Sequence, residues 1–110
     1  MDKAIQLDPR NSIAFNSRGV AYLDIGESQR ALDDLNQAVS LNPQDANAFI
    51  NRGNAHKDLN LLAQAVDDYS EAIRLNPNLL DAYRNRAATH TLLGQEALAI
   101  ADLQKEDAQR

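Results

Sequence analysis

The chain has 110 residues, no cysteine, and 16 acidic against 11 basic side chains, for a formal charge of −5. That length fits one small domain, the missing thiols exclude a disulfide framework and thiolate chemistry, and the acid surplus argues against duplex nucleic acid, whose phosphates need Lys and Arg. There is no run of apolar residues long enough to span a membrane, and Met1–Asp8 lacks the apolar core of a secretory signal, so the expected compartment is the cytoplasm.

Ala and Leu dominate the apolar residues, which favours helix over sheet. Ala4, Ile5, Leu7 and Pro9 read as the end of one helix. The next helix runs from Ser12 to Ile25, with Phe15, Val20, Tyr22 and Leu23 on a turn-spaced stripe, and Gly26 stops it. Ser28 is the expected cap of a second helix carrying Ala31, Leu35, Ala38, Val39 and Leu41, which Asn42-Pro43 ends because the residue before proline is pushed out of the α region. Ala46 to Leu59 and Leu62 to Leu75 repeat the arrangement around Asn60, a residue that tolerates left-handed backbone. Leu80 to Leu93, a stop at Gly94, and Glu96 to about Ala108 complete a third pair.

The pairs recur every 34 residues. Pro9, Pro43 and Pro77 keep that interval, as do Phe15, Phe49 and Tyr83; Arg18, Arg52 and Arg86; Ala31, Ala65 and Ala99; and Asp34, Asp68 and Asp102. Gly19 and Gly53 continue as Ala87, and Ala4, Ala38 and Ala72 are followed by Leu7, Leu41 and Leu75. Small residues at the crossings let paired helices approach closely, and each hairpin must stack on its neighbours because it buries too little alone. The chain thus divides into 1–11, the end of a preceding repeat, and repeats at 12–45, 46–79 and 80–110 in a single array; Met1 then falls inside a repeat, as in an excerpt of a longer array.

This pattern resembles the tetratricopeptide repeat over essentially the whole chain. The family's aromatic, small, aromatic, Ala, aromatic, Ala and Pro positions are Phe15, Gly19, Tyr22, Ala31, Leu35, Ala38 and Pro43 in the first repeat. The second has Phe49, Gly53, His56, Ala65, Tyr69, Ala72 and Pro77; the third has Tyr83, Ala87, His90, Ala99, Leu103 and Glu106, with no proline. The resemblance implies an all-α fold, a right-handed superhelix of helical hairpins, whose first helices line a concave groove that binds a peptide segment of a protein partner. Some members clamp the C-terminal carboxylate of a chaperone tail; the places taken in order here are Asn16, Val20, Asn51, Asp81 and Asn85, of which Asn51 alone matches, and Asp81 has the wrong sign.

No catalytic constellation, cofactor motif or metal-ligand set is present, so the expectation is a protein that is not an enzyme. His56 and His90 lack ligand-spaced partners and read as packing residues in an aromatic's place. The carboxylate pairs Asp33-Asp34 and Asp67-Asp68 read as a solvated convex face, since adjacent helical positions point apart. Arg18, Arg52 and Arg86 each precede an Asp by 16 residues, the spacing of an Arg–Asp pair within one hairpin. The polar tail from Gln104, with Glu106 in place of a packed Ala, is what an exposed terminus needs.

Asparagine is the binding signal. Asn47, Asn51 and Asn54 share a face of one first helix, with Asn16 and Asn85 on its neighbours. A carboxamide both donates and accepts, and so matches a peptide unit. Val20 and Ile50 add apolar surface, and Lys57 and Arg84 add charge, giving the expected peptide-binding set. Two other readings compete: a self-associating module, forming a homo-oligomer or filament through exposed repeat ends, and a regulatory segment of a larger enzyme.

Overall fold

The computed structural model describes residues 10–108. They form α1 (Ser12–Asp24), α2 (Ser28–Leu41), α3 (Ala46–Asp58), α4 (Leu62–Leu75), α5 (Leu80–Leu92) and α6 (Glu96–Ala108), and no strand occurs among the described residues. The expected helix end at Ala4–Pro9 lies outside them. Each odd helix packs antiparallel-fashion against the helix that follows it, each even helix packs against the next odd one, and odd helices also touch each other in succession. The result is an elongated stack of 46 × 25 × 19 Å.

Each hairpin turn is built the same way. Gly26, Asn60 and Gly94 have φ of +80°, +61° and +76°. That left-handed residue lets the next amide reach back five residues: Glu27 to the Tyr22 carbonyl at 2.8 Å, Leu61 to His56 at 2.7 Å, and Gln95 to His90 at 2.7 Å. This wrap makes Glu27 the residue before α2, and Ser28 is already helical, with no side-chain cap at this end. The expectation of a Ser28 cap therefore fails because the turn's own backbone bonds set the helix start. Between hairpins, Asn42 ends α2 and Asn76 ends α4, and each side-chain oxygen then accepts from the amide two residues on, at 3.2 Å. Asn11 caps α1 and Asp45 caps α3 through their side-chain oxygens.

The core lies between the layers. Phe15, Ala38, Val39 and Ala48 join the first hairpin to α3; Ile50, Ala65, Tyr69, Ala72 and Ala82 join the second hairpin to α5. Gly19 and Gly53 sit where a Cβ would stand 2.7 Å from Leu35 Cγ and 2.6 Å from Tyr69 Cε1. Leu35 and Tyr69 are fully buried there. The third hairpin carries a real Cβ at that crossing, Ala87, and its counterpart side chain, Leu103, is 46% exposed.

Candidate functional site

The recurrent arginines rise from the odd helices toward the even ones. Arg18 holds Asp34 through Nε and Nη2, both at 2.7 Å, and Arg86 holds Asp102 through Nε at 2.9 Å and Nη2 at 2.6 Å. In the second hairpin Arg52 spends Nε (3.1 Å) and Nη2 (2.7 Å) on a single oxygen of Asp68, because His56 Nδ1 takes the other at 2.6 Å. A carboxylate only accepts, so that ring nitrogen carries the hydrogen. Each arginine also lies over an aromatic ring of its own helix, such as Arg52 over Phe49 at 5.3 Å. The spacing of 16 residues is therefore a doubly hydrogen-bonded ion pair inside each hairpin, bidentate in the first and third.

This geometry corrects the reading of the carboxylate pairs as a solvated face. Asp33 and Asp67 are exposed, but Asp34, Asp68 and Asp102 are buried among the described residues. The histidines also have partners that their spacing did not mark. The carboxylate near His56 comes from the even helix 12 residues on, while His90 Nδ1 donates to Gln95 Oε1 at 2.8 Å and its Nε2 lies 3.6 Å from Asp102. Sequence reasoning missed two more partners: Arg52 Nη1 reaches Asn36 Oδ1 of α2 at 3.3 Å, and Arg86 Nη1 reaches Ser70 Oγ of α4 at 3.0 Å. Asn36 and Ser70 are one period apart, and that shared polar character was the available signal.

Of the expected binding set, the structure joins Asn16 and Asn51, whose amide donates to Asn16 Oδ1 at 3.0 Å across α1 and α3. Asn54 Oδ1 accepts from Tyr69 Oη at 2.5 Å, which leaves its amide hydrogens uncommitted. Asn85 and Val20 are half-buried on α5 and α1, Asn47 is exposed, and Lys57 is half-buried with no carboxylate partner among the described residues. Two members are already engaged with neighbours. Ile50 is 7% exposed and packs with Tyr69, Ala72 and Ala82, so it is core and offers no open surface. Arg84 is held by Glu106 at 3.2 Å, and Glu106 is itself buried. Glu106 stands where Ala38 and Ala72 pack, and Arg84 where Asn16 and Ile50 stand, so an ionic pair takes the place of shorter uncharged side chains. At Glu106, where an exposed polar terminus was expected, the carboxylate is buried beneath an Arg84 side chain that is itself 55% exposed, and Glu106 holds that guanidinium above its ordinary pKa.

Burial pushes the Tyr69 phenol above its ordinary value of 10.0, and the charges of Asp58 and Asp68 add to this. A phenol whose pKa is raised by folding gives stability that is complete below pH 10.0 and is lost as pH rises above that value. Tyr69→Phe removes the bond to Asn54, costing about 1 kcal/mol at neutral pH. It also flattens the fall in melting temperature above pH 10.0, which thermal unfolding of both proteins across that range will show.

The chain matches the tetratricopeptide repeat at residues 46–79, the TPR repeat at 21–60, and a further tetratricopeptide repeat pattern at 1–33. No curated protein sequence matches it. Among solved structures it is similar to MamA, at 28% identity and a TM-score of 0.95, over 99% of this chain and 64% of that one. It therefore spans less than two thirds of the length of that relative. It is also similar to the Arabidopsis OM64 TPR domain (23% identity, TM-score 0.87, 90% of this chain and 82% of that one). A third likeness is to the first TPR of Spaghetti bound to an HSP90 peptide (24% identity, TM-score 0.85, 90% and 79%).

Proposed function

Starting from the fact that this chain belongs to the tetratricopeptide repeat family, we propose that it is a protein-interaction scaffold that holds an extended peptide segment along the face of α1, α3 and α5. The observation that carries this reading is the state of the carboxamides. The recurrent Arg18, Arg52 and Arg86 are spent on Asp34, Asp68 and Asp102 inside the hairpins. By contrast, Asn47 and Asn85 make no side-chain hydrogen bond among the described residues, and Asn16, Asn51 and Asn54 each keep unspent amide capacity beside Val20 and Lys57. Carboxamides read main-chain N–H and C=O groups with little demand on side chains. Lys57 favours an acidic segment. Mechanism here is recognition, with no bond made or broken.

Panning a displayed library of random short peptides on the wild type and on Asn51→Ala/Asn85→Ala tests this. The double variant is expected to retain its fold and to bind enriched peptides about tenfold more weakly. Equal binding by both proteins removes the asparagine face from the account.

A second reading, self-association, is favoured by the outer side of the third hairpin. There Ile100 and Leu103 are 55% and 46% exposed, although Leu35 and Tyr69, which correspond to Leu103, are fully buried. Sedimentation that stays monomeric at every concentration would count against it.

A further inference from the structure

A cleft of about 440 Å³ opens between α4 and α6, on the side of the stack away from the asparagines. Its walls are Val66 and Ile73 of α4, Tyr83 of α5 and Leu98 of α6. Its floor is polar but already satisfied, since Arg86 is bonded to Asp102 and Ser70, and His90 to Gln95. Lys105 stands at the rim, exposed and without a carboxylate partner among the described residues.

The repeat supplies an internal control for this cleft. The places of Leu98, Ala101 and Lys105 are occupied one period earlier by Gln64, Asp67 and Glu71. Gln64 and Asp67 are exposed, as Leu98, Ala101 and Lys105 are, so packing does not demand the change at those positions. Glu71 is tied to Arg74 on its own helix, whereas Lys105 has no such partner. One amide and two carboxylates have thus become an isobutyl, a methyl and an ammonium, all facing the same opening. On the opposite wall, Val66 and Ile73 are half-buried, whereas Leu32 and Val39, their counterparts, are buried. At the earlier place the apolar wall residues are buried and two of the three edge residues are acidic; here the wall is half-buried and the edge is apolar and cationic.

We propose that the α4–α6 cleft is a second docking site, separate from the asparagine face, for a partner peptide that inserts one bulky apolar side chain and sets an acidic residue on Lys105. Charge selects this occupant. A second copy of the chain brings a net charge of −5, but Lys105 asks for a single local carboxylate beside an apolar anchor. A continuous alkyl chain would lie over the Arg86–Asp102 floor and strip its water, whereas one inserted side chain touches the apolar walls and leaves the polar floor wet. The anchor supplies most of the affinity, and the exposed ion pair sets orientation and encounter rate.

The variant Leu98→Gln/Ala101→Asp/Lys105→Glu gives the third hairpin the residues that the second already carries at these places, so it is compatible with the repeat; circular dichroism verifies its fold. A displayed library of random short peptides is panned on the wild-type chain, and enriched sequences are measured against the wild type, this triple variant and Asn51→Ala/Asn85→Ala. The proposal expects a class of peptides pairing a bulky apolar residue with a nearby Asp or Glu, bound at least about tenfold more weakly by the triple variant and unchanged by the asparagine variant. Three results overturn it: no such class, a class bound equally by the triple variant, or a class lost only with the asparagines. Concentration-dependent dimerisation abolished by the triple variant, with no peptide class, assigns the cleft to a second copy and overturns it too. Because the two variants alter different faces, failure of this proposal and failure of the asparagine reading give different results.

Discussion

Asp68→Ala lowers stability by about 3 kcal/mol, while Asp67→Ala, one residue away, changes it by less than about 0.5 kcal/mol. The difference lies in what each carboxylate touches. Asp68 is buried and takes two N–H bonds from Arg52 and one from His56. Deleting it strands a guanidinium and an imidazole at the centre of the middle hairpin. Breaking a buried pair from one side typically costs about 3–5 kcal/mol, and the lower end applies because the Arg52 side chain keeps 24% of its exposure and can recover some water. Asp67 faces solvent. Urea unfolding of both variants, followed by helical circular dichroism, measures the contrast; equal losses would mean that the ion pair contributes no more than any helical position.

Gly53→Ala is expected to destabilise by about 2 kcal/mol, even though alanine is the better helix former. The added methyl would meet three atoms of the Tyr69 ring, at 2.6, 2.9 and 3.0 Å. The ring is rigid and fully buried, and its hydroxyl is fixed by Asn54, so it cannot give way without losing the bond and opening the core. The third hairpin shows the alternative: with Ala87 at the crossing, Leu103 lies partly in solvent. The same urea titration reads the effect. A gain in stability would show that the ring moves freely and that the close approach is incidental.

Much of this architecture was legible in the sequence because the period repeats each signal. Six helices fall within a residue of the expected bounds at their ends, since Gly26, Asn60, Gly94 and the Asn-Pro steps punctuate the chain chemically. The Arg–Asp pairs were legible from a spacing that only a hairpin can close. What escaped depends on phase or on direction. Ile50 lies on the boundary between the core stripe and the open face of α3, and a helical wheel cannot say which side wins; contact with Ala82 of the next hairpin decides it. Glu106 and Arg84 are 22 residues apart, off the repeating interval, so their pairing appears only as two separate departures from the pattern. The adjacent carboxylates looked equivalent until one of each pair was seen to be claimed by an arginine. For the binding face, the sequence marked the asparagines, but which of their amide groups are already spent depends on neighbours from other helices.

Arg86 has a mechanical consequence. From one planar guanidinium on α5 it grips Asp102 on α6 and Ser70 on α4, the two helices that flank the cleft. Those walls cannot spread without stretching or breaking a bond to that side chain, and α5 is also one of the helices forming the asparagine face. The arginine therefore ties the last two hairpins together, so that opening the cleft loads bonds anchored on a helix of the asparagine face.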